Sequence, residues 1–271
     1  MRCDRRNRKS ELAMCCHTWI EKGLSAAVLK NTALALMLIN HFSIGWYYYV
    51  GLRSYEFWDY QLYLTRPAFY LFAFLIAEGM VYTKSRTKYM LRLLAAGLIS
   101  EVFFDWLAGG MIPYWESQNV FFTLFLGTLA ICLTEKCKSY PIWAVLIAVT
   151  ISAVSFFARV DYGCMGIVVI LLFYYLRDRK TAMFICVGIG AFVLQFAQNW
   201  LYSPKMSADV LYALDSAVVE AHGILSFPLI LLYNGKRGRQ FPKLFYYAFY
   251  PIHLAFIMIT VRLVVRIIGN T

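Results

Sequence analysis

Nine apolar stretches, separated by short polar loops, restrict this chain more than any other feature. They fall at about residues 24–43, 67–82, 89–108, 119–134, 141–158, 162–176, 181–202, 216–233 and 244–268. Within a bilayer no water satisfies backbone N–H and C=O groups, so only helices and closed barrels can span. A barrel would show alternating segments of about ten residues, and that pattern is missing. The expectation is an all-α, polytopic transmembrane bundle of about nine spans, with eight or ten as the neighbouring counts. Several stretches fall short of the roughly 20 residues of a straight crossing, so some are expected to be re-entrant or extended by flanking aromatics.

The loops give the orientation. Lysine and arginine total 19 in the segment 1–22 and the loops 84–92, 135–140, 177–180 and 235–243, but only 4 in the loops between them. This alternation places the N-terminus in the cytoplasm and the C-terminus outside. Residues 1–22 read as a basic cytoplasmic tail without the short apolar region and cleavage site of a signal peptide. Residues 23–271 read as a single transmembrane domain. No internal repeat is visible, so the inverted-repeat plan of many transporters finds no support.

The chain is 61% hydrophobic and 15% charged, against about 25% charged in soluble domains. Its net charge of +11 does not point to nucleic acid, because the basic residues are dispersed in loops as membrane topology requires. Seven cysteines form no disulfide framework. Cys132, Cys164 and Cys186 read as small core residues, and Cys15 and Cys16 as acylation candidates.

Against that background the ionisable groups inside apolar segments stand out, because such groups are costly in a bilayer and usually functional. Lys30 and His41 lie eleven residues apart in the first segment. They share one face of a helix and are separated by about 16 Å along its axis. His41 lies about 25 Å from the cytoplasmic end, Glu101 about 18 Å, Glu220 and His222 about 17–20 Å, and His253 about 14 Å. Glu78 lies near the interface. A histidine needs little adjustment to act as a base near neutral pH, which makes His41 the leading catalytic candidate. Lys30 reads equally as a snorkelling anchor and as a contact for an anionic ligand. Glu101 and Asp105 share a face, so one must be protonated or a cation such as Arg66 or Arg159 must lie near. Glu220 and His222 point to opposite sides, and only one can face a given cavity.

Local signals mark the helix ends. Arg66-Pro67 opens the second segment, with proline suited to the first helical turn. In "DYGCMG" (161–166), Asp161 is a candidate N-cap, and Gly163 and Gly166 allow close helix contact. In "LYNGKRG" (232–238), Asn234-Gly235 signals a tight turn. Lys236 and Arg237 there serve either as ordinary anchors or as a grip on phosphates.

Seven stretches occur together and in order: "LKNTALALMLINH", "RPAFYLFAFLIAEG", "KYMLRLLAAGLISE", "QNVFFTLFLG", "DYGCMG", "LYNGKRG" and "FYPIHL". In sequence and spacing they resemble the TraX family, from about Leu29 to Leu254. That family includes an F-pilin acetylase and is related to the broader transmembrane acyltransferases. The resemblance implies a multi-pass protein of the bacterial inner membrane that transfers an acetyl group from acetyl-CoA, with no metal. The implied acceptor is an amine or hydroxyl of a pilin, a secreted peptide or a glycan. The family has Asp-His at the end of its first span where this chain has Asn40-His41. The asparagine can orient the imidazole but brings no charge, and Glu101 is the candidate substitute. The resemblance also marks Arg66, Arg92, Asn119, Tyr250 and His253. In the implied arrangement Lys30, Arg66, Arg92, Lys236 and Arg237 hold the phosphates, His41 is the base with Asn40, Glu101 and His253 beside it, and Asn119 or Tyr250 donates to the oxyanion. The competing readings are a proton- or ion-coupled transporter and a non-catalytic membrane partner.

Overall fold

The structure is a computed structural model that describes residues 23–50, 55–202 and 209–269. The basic tail with Cys15 and Cys16, and also Arg53 and Lys205, lie outside the described residues. The helices are α1 (Ala26–Gly45), α2 (Tyr55–Thr65), α3 (Pro67–Tyr82), α4 (Arg86–Gly109), α5 (Val120–Lys136) and α6 (Pro141–Phe157). They continue with α7 (Gly163–Tyr175), α8 (Lys180–Tyr202), α9 (Asp209–Ala221), α10 (Phe227–Leu231) and α11 (Lys243–Gly269). A π-helical turn, Trp46–Val50, prolongs α1, and a 3-10 turn, His222–Ser226, joins α9 to α10. No strand occurs among the described residues.

Eight of the nine apolar stretches each form one helix, and the fold is all-α. Among the described residues five segments are long and apolar enough to cross a membrane: Ala26–Val50, Tyr60–Tyr82, Lys180–Tyr202, Val210–Leu231 and Lys243–Ile268. The chain is therefore a multi-pass membrane protein. The helix ends follow their sequence signals. Pro67 and Pro141 open α3 and α6 at positions where an amide would be unsatisfied anyway. Ser85 caps α4 by accepting from Lys88 N, and Asn119 caps α5 by accepting from Phe121 N.

Three expectations are corrected. The second segment is preceded by a further helix, α2, whose Glu56, Asp59 and Gln61 interrupt the apolar pattern and hid it as a loop. The eighth segment begins earlier than expected and is broken at His222–Ser226. There Gly223 lies flat against the ring of Tyr70, which a Cβ would strike. The cap of α7 is Tyr162, held in the left-handed region at φ 63°, rather than Asp161.

Five helices close a ring, in the order α1, α3, α5, α4, α11 and back to α1. Helix α7 packs behind α3 and α5 and is apolar all round, with Met165, Ile167, Val169 and Ile170 fully buried, as a central helix should be. Gly127 lets α5 approach so closely that Ile170 of α7 sits against its backbone, a typical membrane contact through a small residue. Helices α6 and α8 turn large side chains outward, among them Ile142, Val149 and Ile189, as lipid-facing helices do. Cys186 also faces outward, which corrects its assignment to the core.

The 232–238 loop clasps the start of α1. Leu24 N donates to Leu232 O at 2.7 Å and Asn234 N to Leu24 O at 3.0 Å. Ala26 N and Ala27 N donate to the carbonyls of Lys236 and Arg237 at 2.9 and 3.1 Å. The first amides of α1 thus find acceptors outside the helix. Gly235, at φ 72°, makes the turn.

Candidate active site: two cavities around one histidine

Two cavities enter the five-helix ring from its opposite ends. The larger, about 550 Å³, opens at the end that carries the basic loops, between the starts of α1 and α11 and the end of α3. The smaller, about 310 Å³, lies toward the other end, near the end of α4 and the loop before α7. Met37, Phe72, Val120 and Tyr250 line both cavities. These four residues form a shared wall.

Lys30, Arg92, Arg237 and Lys243 line the larger cavity, and its depth is apolar, with Leu34, Leu93 and Leu124. Arg92, Arg237 and Lys243 are exposed, whereas Lys30 is half-buried with its ammonium 4.3 Å above the ring of Tyr246. That cation–π contact holds Lys30 in the cavity instead of leaving it to snorkel. The phenol of Tyr246 in turn donates to Asn31 Oδ1 at 3.3 Å. No pattern in the sequence singled out Tyr246 for this part. Lys236 is not among the lining residues. Its backbone N–H is bound to Asn234 Oδ1 at 2.9 Å, and its contribution is the carbonyl that caps α1. Arg66 lies outside this cavity as well, which separates it from the expected phosphate grip.

The smaller cavity contains His41 and Asn40. His41 Nδ1 lies 2.8 Å from His253 Nε2, and His253 Nδ1 lies 2.8 Å from the carbonyl oxygen of Phe249. A carbonyl can only accept, so neutral His253 carries its proton on Nδ1 and presents a lone pair at Nε2. His41 must then donate from Nδ1, which leaves its Nε2 unprotonated and basic. The two rings, 5.0 Å apart between centroids, form a directional relay that fixes the tautomer of His41. Pro251 lies between the two residues of α11 that meet His41, Tyr250 and His253.

The other candidates divide around this pair. Asn40 does not orient His41 in the structure: its Oδ1 lies 3.1 Å from Thr65 Oγ1. Glu101 meets Asn119 rather than His41: its Oε2 is taken by the side chain and the backbone N–H of Asn119, and its Oε1 is buried without a partner among the described residues. The expected cations are elsewhere, with Arg159 paired to Glu116. Asp105 is buried rather than at the interface. Asn119 is fully committed: it donates to Gly97 O at 2.9 Å and to Glu101, and accepts from Phe121 N at 3.0 Å. It has no hydrogen left for an oxyanion. Tyr250 does. It is 2% exposed, its hydroxyl has no partner, and its ring meets His41 edge-on at 5.6 Å.

Arg66 lines the smaller cavity and pairs with Glu220 at 3.4 Å. Tyr70 donates to the backbone carbonyl of Glu220 at 3.2 Å. With Glu220 almost completely buried, loss of Arg66 alone would leave an uncompensated charge, a change that costs about 3–5 kcal/mol. Asp161 brings a carboxylate to the smaller cavity. His222 lines neither cavity; it is half-buried, with its ring stacked on Tyr63 at 4.3 Å. Of that pair only Glu220 turns inward. No group of three metal-ligating side chains occurs among the described residues.

The family model described as TraX protein matches residues 25–262. The chain is also 29% identical over 244 residues to a protein named probable fimbrial assembly protein FimC, serogroup H1, from Dichelobacter nodosus. That alignment covers 85% of this chain and 93% of the relative. No solved structure matches.

Proposed function

The chain belongs to the TraX family, and from that membership and the paired cavities we propose that it is a membrane acyltransferase, moving an acetyl group from acetyl-CoA to an amine or hydroxyl presented from the other side. The observation that carries this reading is the shared wall beside His41. Two substrates entering from opposite ends would meet there and nowhere else.

The loop charges support nine crossings with the basic end in the cytoplasm, where acyl-CoA is available. The larger cavity fits such a donor. Its four cations suit phosphates, and its apolar depth suits the pantetheine arm. The axial rise from Lys30 to His41, about 16 Å, is of the same order as that arm when extended. The acceptor enters the smaller cavity. His41 Nε2 takes a proton from the attacking nitrogen or oxygen, while His253 holds the ring in the required tautomer. The same proton then goes to the departing thiolate. The family and the name of the fimbrial relative support a pilin subunit as acceptor, ahead of a secreted peptide or a glycan. A coupled transporter would need a continuous polar path between the cavities, but Met37, Phe72 and the Val120 side chain are apolar and the phenol of Tyr250 is the one polar side chain among the four wall residues.

The test is thiol release from acetyl-CoA by purified protein in lipid nanodiscs. Wild type should release thiol, and His41→Ala should lower the rate at least about 10³-fold while acetyl-CoA still binds. Wild-type protein that neither binds nor consumes acetyl-CoA would refute the reading.

A further inference from the structure

Resting on the acyl-transfer reading, we propose that the backbone N–H of Val120 and the hydroxyl of Tyr250 together form the oxyanion hole of the reaction, at the N-terminus of α5. Val120 is the first residue of that helix, behind the cap Asn119. The amides that follow are provided for: Asn119 Oδ1 accepts from Phe121 N at 3.0 Å, and Asn119 O accepts from Phe122 N at 3.1 Å. The Val120 amide has no backbone acceptor among the described residues. Its N–H is directed at the phenol oxygen of Tyr250. The phenol is an independent pointer to a ligand, being buried, unpartnered and part of both cavity surfaces.

The position suits the chemistry. Both donors lie in the wall where an acyl group from the larger cavity would reach the smaller one. The aligned peptides of α5 place a partial positive charge at its start, and the apolar surroundings strengthen its interaction with an anion. As the acceptor attacks the carbonyl carbon, a C–N or C–O bond forms and the carbonyl π pair moves to oxygen. His41 Nε2 takes the acceptor's proton, and the oxyanion receives hydrogen bonds from Val120 N–H and Tyr250 O–H. Collapse restores the C=O, breaks the C–S bond and expels the thiolate, which recovers the proton from His41. Asn119 is a positioning residue here: its three contacts set the cap that leaves the Val120 amide without a backbone acceptor and turned toward the cavity wall.

Proline at position 120 removes the amide hydrogen and little else. The first helical position is where proline is best accommodated. Asn119, at φ −64° and ψ 159°, already has the extended conformation that a residue before proline adopts. In nanodiscs, with water or a short peptide with a free N-terminus as acceptor, Val120→Pro is expected to lower kcat for thiol release about 10²–10³-fold. Binding of acetyl-CoA should stay within about twofold of wild type. Val120→Ala, which keeps the N–H but trims the side chain that lines both cavities, should lose far less kcat than the proline variant, and Tyr250→Phe should lose kcat in the same way as the proline variant. A proline variant that binds acetyl-CoA and keeps wild-type kcat would overturn the proposal, as would an alanine variant that loses as much as the proline one. If wild type itself shows neither binding nor thiol release, the acyl-transfer reading fails and the oxyanion hole falls with it.

Discussion

The larger cavity draws its charge from helix ends and a loop, whereas the histidine pair at the smaller comes from within two long helices. Arg92, Arg237 and Lys243 are exposed cations on long, flexible side chains. His41, His253 and the Phe249 carbonyl form a chain of two contacts at 2.8 Å with no freedom in its direction. Exposed charges act additively, are screened by salt and tolerate displacement. A relay fixed by tautomer fails when any member changes. One cavity is built to hold a charged molecule and the other to hold a proton in place.

The largest expected effect falls on the relay. His253→Ala removes the acceptor for His41 Nδ1, and kcat should drop about 10²-fold with little change in acetyl-CoA binding. His253→Gln, whose amide oxygen can accept from His41, should recover part of the loss. Full activity in the alanine variant would mean that the smaller cavity is as tolerant as the larger. Next comes the double change Arg237→Ala with Lys243→Ala. It should raise KM for acetyl-CoA about tenfold at low salt, less at high salt, and leave kcat intact. A fall in kcat there would show that the two cavities are not functionally separate. Smallest is Asn40→Asp, which should change kcat by no more than about twofold, because His41 is held by His253 while Asn40 meets Thr65. A rise of about tenfold or more would return residue 40 to the relay.

The helices were legible in the sequence because bilayer crossing imposes long apolar runs, and Pro67, Ser85, Asn119 and Pro141 mark their starts. Helix α2 was not legible, since its acidic residues imitate a loop. Of the site, His41, His253 and Tyr250 could be marked by residue type and resemblance, and Lys30, Arg92 and Arg237 by topology. Their partners could not. Asn119 and Glu101 carry side chains suited to catalysis, yet Asn119 is spent on Gly97, Phe121 and one oxygen of Glu101 across α4 and α5. The His41–His253 contact joins residues 212 positions apart. Only the closing of the ring by α11 against α1 brings them together, and no local pattern encodes it. The Val120 amide escapes sequence reading for another reason: a backbone hydrogen bond donor has no letter.

The clasp between the 232–238 loop and the first turn of α1 has a consequence for how this protein can change. Because the loop carrying Arg237 is fastened to the helix carrying Lys30 and His41, α1 becomes a measuring rod with its zero at the basic end. One residue inserted or deleted between Lys30 and His41 would shift the imidazole by about 1.5 Å and swing it through about 100°, away from His253. Apolar side chains along that interval can be exchanged for others of similar size. The number of residues in it cannot change.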